Sequence, residues 1–418
     1  MLRSHPSFDQ SPVEPVTPES VGASGMREAR ASGPPVAFDL VIHAGRVVCP
    51  ARERDGPGAV AIVGERIAQS GPGIEGPARQ VLRFPDAVVL PGLVDLHAHP
   101  ARGESKYGID PDLHLLPFGT TTVLAQGDAG AENWARYRQA VIERSRTRVR
   151  LALNLSRRGE SMAGGCFEAL EDADVAACAR AVRDVEGDAA GKIWGIAVNV
   201  GRNACGRTDP RVVMARARAA AGETGLPLFV GSRRHADWSM DEQLALLRPG
   251  DVVTYCFNDQ PEGLLAGGHV REAAWAARAR GVRFDVGHGM SSFSFAVAER
   301  AVAEGFLPDT ISTDRYRRHL DARPRHDLPR TLSKLIAVGM PELEAFARVT
   351  TRPAAILGLD GEAGTLSPGA GADLVALEWN PRGGPLRDTA GAERPGGAWE
   401  PLLTVRAGTV VRAAVEAE

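Results

Sequence analysis

Cysteine is scarce: Cys49, Cys166, Cys178, Cys205 and Cys256 are scattered over 418 residues, with no CxxC pair. That spacing indicates neither a disulfide framework nor a cysteine zinc knuckle. No apolar run approaches the ~20 residues of a spanning helix, and the N-terminus lacks the apolar core of a signal peptide. An excess of one charge is also missing. The net charge is −3 and the pI is near 6.4, so electrostatics gives no case for nucleic acid or an anionic membrane as partner. No Gly-rich dinucleotide fingerprint occurs, which counts against an open doubly wound sheet. Arg far outnumbers Lys, and Ala and Gly are abundant, a habit of GC-rich genomes rather than a functional signal. The expectation is a cytoplasmic protein with a small-molecule substrate. Its oligomeric state is unread.

The length suffices for a full barrel core and a smaller companion domain. Residues 1–36 are rich in Pro, Ser, Glu and Gly without a hydrophobic period and read as a disordered tail. Segments 38–48 and 59–69 alternate as short strands. From residue 88 the pattern becomes strand, loop, helix, repeated. Strands are expected at 88–96, 119–125, 148–155, 192–198, 226–230, 251–257, 282–286 and 309–313, with helices at 167–185, 209–224 and 292–305. Eight such units with near-continuous apolar strands predict an α/β (β/α)8 TIM barrel over 88–356. In that fold the chemistry sits at the C-terminal strand ends.

The first of those ends reads Pro91-Gly92-Leu93-Val94-Asp95-Leu96-His97-Ala98-His99. Residues i and i+2 of a strand share a face. His97 and His99 can therefore aim both imidazoles at one point, a natural way to hold a divalent metal. Strand 8 ends in Ser312-Thr313-Asp314, and strand 7 in Gly287-His288-Gly289.

Over residues 38–380 these motifs resemble the amidohydrolase superfamily of TIM-barrel metallohydrolases. Within that superfamily they resemble the amidohydrolase/deacetylase branch, which includes relatives of dihydroorotase and adenine deaminase. The resemblance implies a small β-sandwich built from both chain ends, 37–87 and 357–418, with Leu374–Leu377 and 402–415 returning to complete it. It implies Asp314 as a metal-binding, proton-shuttling carboxylate. His288, in a Phe-Asp-Val-Gly-His-Gly stretch similar to that branch, becomes a candidate for polarising a carbonyl or gripping a carboxylate.

The resemblance also marks departures. Where dinuclear relatives carry a bridging lysine on strand 4, this sequence has Ala197. Where they carry histidines on strands 5 and 6, it has Gly231 and Tyr255. The implied beta-metal ligands are all absent, while His97, His99 and Asp314 of the alpha site remain. One divalent ion is therefore expected, zinc first, with manganese or iron as alternatives and a metal-free site also open. His235 is a conceivable fourth ligand. Tyr255 would face inward, where its phenol could serve an oxyanion or act as an acid, or simply fill volume. Cys256 would point away into the core. Arg102, Arg157, Arg158, Arg202, Arg233, Arg234 and the Arg315–Arg318 cluster follow strand ends, and Arg102 and Arg202 are candidate substrate contacts for an anion.

Three functions remain open. The leading one is hydrolysis of an amide, ester or cyclic amide. The second is repurposed lyase, isomerase or cyclisation chemistry centred on His288 and Tyr255, and the third is a catalytically dead binding protein. A barrel does not fix its chemistry.

Overall fold

A computed structural model describes residues 37–184 and 191–412. The tail expected over 1–36 and the last residues of the 402–415 segment lie outside them. With strands numbered in chain order, β1 (Phe38–Cys49), β2 (Arg54–Val63), β3 (Arg66–Gly71) and β4 (Ala78–Pro91) join β14 (Leu374–Asn380), β17 (Ala398–Arg406) and β18 (Thr409–Arg412). Together they form one sheet in the order β18-β17-β14-β4-β1-β2-β3, antiparallel except for the β1–β4 pair. Leu40 and Ile42 on β1, with Val60 and Ile62 on β2, join Val89, Leu374 and Val405 in a buried cluster on one face. Val41 and Ala61, which alternate with them, pack with Phe38 and Ala59 in a smaller buried cluster on the other face.

The second sheet is parallel. Its order is β5 (Leu93–Ala98), β6 (Thr120–Gln126), β7 (Arg148–Asn154), β8 (Ile193–Asn199), β9 (Leu228–Gly231), β10 (Val252–Thr254) and β13 (Arg283–Phe284). Two short ribbons complete the strands: β11 (Leu265–Ala266) with β12 (His269–Val270), and β15 (Leu386–Arg387) with β16 (Glu393–Arg394). Between the parallel strands run helices such as Pro210–Thr224, capped by Asp209 with Pro at its first turn and closed by Gly225 at φ +70°. The architecture is thus the expected TIM-barrel α/β fold with a separate, largely antiparallel sheet.

Three expected elements differ. The strand expected at 88–96 is two strands in two sheets, broken at Gly92. A Cβ on Gly92 would lie 2.2 Å from Thr121 Oγ1, so only glycine lets the chain pass from one sheet to the other here. The eighth barrel strand is not a regular strand. Segment 310–315 instead makes isolated parallel bridges, Thr310 to Asp285 on one edge and Arg315 to Ala98 on the other. Its hydroxyls reach both edges: Thr310 and Ser312 donate to Asp285, and Thr313 donates to Asp95. The helix expected at 167–185 begins only at Val175, where Asp174 accepts from Ala177 N. Among the described residues no helix is long and apolar enough to cross a membrane.

Candidate active site

Strand alternation delivers His97 and His99 to the barrel mouth from the end of β5, and both are buried. Asp95, two residues earlier, accepts from His97 N (3.1 Å), Thr313 N (3.1 Å) and Thr313 Oγ1 (2.6 Å). That ties the histidine strand to segment 310–315. The same seam carries an Asp314 N to His97 O hydrogen bond of 2.6 Å. Asp314 sits at φ +48°, a left-handed conformation that Asp tolerates better than most residues. Its Oδ1 lies 3.4 Å from His97 Nε2 and 3.3 Å from His99 Nε2.

The other ring nitrogens are spoken for. His97 Nδ1 donates to Thr254 Oγ1 (3.0 Å), which in turn donates to Asp285 Oδ2 (2.7 Å). His99 Nδ1 donates to Asp128 Oδ1 (3.0 Å), which also accepts from Ser105 Oγ (2.6 Å). Both imidazoles are thereby set in the tautomer that leaves Nε2 as a lone-pair donor, and such outer hydrogen bonds orient metal ligands and raise their basicity. Buried His97 Nε2 has no hydrogen-bond partner, a costly omission for a polar atom away from water. Burial opposes a charge on His99, yet Asp128 and Asp314 lift it to about 10, so the two carboxylates draw positive charge, a proton or a metal ion, to this imidazole. One ligand atom from each of His97, His99 and Asp314 lies within 4.8 Å of the others, and among the described residues this is the one group of three or more such side chains so placed. Two imidazoles, a carboxylate and an unpartnered Nε2 fit a divalent cation.

The cluster opens into a cavity of about 290 Å³. Its walls include Tyr107, Gln126, Glu160, Asn199, Arg234, Tyr255 and Tyr316, with Arg318 also on the wall.

No protein-family model matches the chain. It is similar to a deacetylase of Enterococcus faecalis, 32% identical over 362 residues, covering 85% of this chain and 94% of that protein. A deacetylase of Agrobacterium fabrum is 32% identical over 316 residues, covering 75% of this chain and 76% of its own. Among solved structures, an adenine deaminase superposes with a TM-score of 0.80 at 30% identity, covering 90% of this chain and 100% of that one. A dihydroorotase gives 0.79 at 29%, covering 90% and 99%. The chain belongs to the amidohydrolase superfamily. It is an amidohydrolase-type hydrolase of amide bonds, with a His-His-Asp cluster where a metal can sit.

The three positions expected to lack metal ligands, Ala197, Gly231 and Tyr255, lie in β8, at the end of β9 and just after β10. Ala197 is buried in the barrel interior with Phe229 and Leu124. Gly231 faces Asn199, and a Cβ there would stand 2.9 Å from Asn199 Cγ. Tyr255 holds the left-handed region at φ +67°, a strained conformation for a bulky residue. Its ring centroid lies 5.3 Å from that of His97. Burial, with Asp314 adding to it, pushes the phenol well above its usual range, so it stays a donor at neutral pH. Cys256, next in the chain, lies in the apolar core.

Three candidates lie elsewhere. His288 does not line the cavity. Gly287 and Gly289, at φ +51° and +50°, flank it, and its ring stacks on Phe293 at 4.8 Å. Burial and Lys334 hold it well below the ordinary histidine range. Neutral His288 donates from Nδ1 to Gly289 O and accepts at Nε2 from Lys334 Nζ, both at 2.8 Å. Arg102 is bound to Asp110 and Asp112. Arg202 is mostly exposed, with Asp237 at 3.8 Å. The metal cluster does not include His235.

The residues that sequence reading missed are the outer partners Asp128, Asp285, Thr254 and Asp95. A signal existed for Asp285, a carboxylate inside the apolar run Phe284-Asp285-Val286. A buried carboxylate demands partners, and here it takes three hydroxyls.

Proposed function

We propose that the chain hydrolyses an amide, ester or cyclic amide bond of a small anionic molecule, using one divalent ion held by His97, His99 and Asp314. The observation that carries this is the convergence of two pre-oriented imidazole Nε2 atoms on Asp314 Oδ1 at 3.3–3.4 Å, with His97 Nε2 left unpartnered. A divalent ion at this place supplies Lewis acidity toward water and the scissile carbonyl. Asp314 accepts the proton of the attacking water and delivers it to the leaving nitrogen or oxygen. Tyr255, protonated and one ring away from His97, donates a hydrogen bond to the oxyanion as it forms. Asp128, and Asp285 through Thr254, keep the two imidazoles fixed throughout.

The test is the metal content of protein purified without added metal or chelator, by elemental mass spectrometry. About one equivalent, lost in a His97→Ala/His99→Ala variant that still folds, supports the reading. Chelator should then abolish turnover of acylated substrates, and zinc should restore it. Two equivalents would rule out the single-ion site. A content near zero that zinc or manganese does not raise would sink this mechanism and favour acid–base chemistry at Tyr255.

A further inference from the structure

Arginine is abundant in this chain, but most guanidiniums near the mouth already have a carboxylate. Arg102 has Asp110 and Asp112, Arg157 has Asp174, and Arg233 has Asp237. Arg234 differs. It lies in the cavity wall, half-buried, and among the described residues no carboxylate comes within ion-pairing distance of it. Its Nη1 donates to Ser292 Oγ (2.9 Å) and Ser291 O (3.4 Å). Its Cζ stands 5.0 Å from the centroid of the Tyr255 ring. The guanidinium is therefore held in place by a hydroxyl, a carbonyl and an aromatic face, all neutral, while Nε and Nη2 have no described protein acceptor.

Of the other charges of the wall, Glu160 pairs with Lys106 at 2.8 Å and Asp314 belongs to the imidazole cluster. Arg318 is solvent-exposed, with no described hydrogen bond or ion pair to fix it. A partly desolvated guanidinium without a counter-ion, fixed by its neighbours, is a pre-built anion receptor, and its planar fork matches a carboxylate. Position adds a second constraint. The Tyr255 ring centroid lies 5.3 Å from that of His97 and 5.0 Å from Arg234 Cζ, so Tyr255 is a neighbour common to the receptor and the His97/His99/Asp314 cluster.

We infer that Arg234 anchors a carboxylate of the substrate, and that the substrate is a small acylated acid whose carboxylate lies a few bonds from the scissile amide or ester. This rests on the hydrolase reading for the identity of the scissile bond and not for the carboxylate. Arg234 acts as a specificity-determining residue. Arg102 and Arg202 do not share the role, because neither lines the cavity and each faces a carboxylate of its own.

The experiment is ligand binding without turnover. N-acetylglycine and N-benzoylglycine, with the primary amide of each, are titrated into the full chain at low ionic strength and followed by calorimetry and ligand-observed NMR. Metal content is measured on every sample. The acids should bind at least about tenfold more tightly than their amides, and rising salt should narrow that gap. Arg234→Gln should erase the preference while leaving the amides' affinity and the metal content unchanged, and Arg234→Lys should keep part of it. Unchanged circular dichroism and thermal midpoint identify variants that remain folded. Equal binding of acid and amide, no binding of either, or a preference surviving in R234Q overturns the proposal. An inactive protein that still prefers the acids loses the hydrolase reading and keeps this one. An active protein without the preference does the reverse.

Discussion

On one side of the barrel mouth, β5 and segment 310–315 present His97, His99 and Asp314, each held by further hydrogen bonds to Asp95, Asp128, Thr254 or the facing backbone. On the other side, β8, β9 and the chain following β10 carry Ala197, packed with Phe229 and Leu124, Gly231, packed against Asn199, and Tyr255, beside His97 and Arg234. The first side is a hydrogen-bonded network whose buried side-chain atoms without a partner are His97 Nε2, one oxygen of Asp128, and Nε and Nη1 of Arg315. The second is filled volume with one fixed cation, Arg234, above it. Buried polar networks are costly to leave half satisfied, so a side that had lost its chemistry would be expected to lose its outer hydrogen bonds as well. This one has kept them, which favours a working cation site on that side.

That contrast can be broken most directly at Asp314. Asp314→Asn removes a charged ligand and the proton carrier together, and turnover of any acylated substrate should fall by at least about a hundredfold, with metal content falling too. Unchanged rate in a folded variant would end the contrast. Next come the outer partners. Asp128→Asn and Asp285→Asn should each weaken metal binding about 10- to 100-fold, read by competition with a chromogenic chelator, whereas removing the Tyr255 hydroxyl should leave metal affinity unchanged.

A third test concerns the group behind the mouth. Burial, with Arg330 adding to it, lowers Lys334 to about 7, below its value in the unfolded chain. Between about pH 7 and 10 the unfolded chain holds a proton that the native state has released. Stability should therefore rise with pH through that window, by a few kcal/mol at most. Urea unfolding from pH 7 to 10 should show this rise in the wild type and flatten it in Lys334→Met, and parallel curves would refute it. The smallest effect is expected for Arg202→Ala. Its guanidinium is mostly exposed and loosely paired, so kcat/KM should stay within about twofold, in contrast to R234Q.

Much of the barrel was legible because its strands are short apolar runs with helix patterns between them. The His97/His99 pair was legible because a period of two is local. What failed was non-local. The run 88–96 reads as one strand, since nothing local reveals that Thr121 from the next strand crowds Gly92. His288 reads as facing the mouth, but the positive φ values at Gly287 and Gly289 accompany a ring turned toward Phe293 and Lys334. Arg102 and Arg202 read as substrate contacts by their place after a strand, but loop position does not say where a long side chain ends. Asp110, Asp112 and Asp237 decided that.

The packing of Gly231 against Asn199 bears on the evolutionary path of this mouth. A histidine at 231 would begin with a Cβ 2.9 Å from Asn199 Cγ, so its side chain could enter only if Asn199 moved first. Asn199 is itself tied down, accepting from Gly201 N at 2.8 Å. Adding a metal-binding side chain on β9 would therefore require changes on two strands in concert. The packing works as a ratchet: substitutions on the far side of the mouth can reshape the cavity more easily than they can add a ligand there.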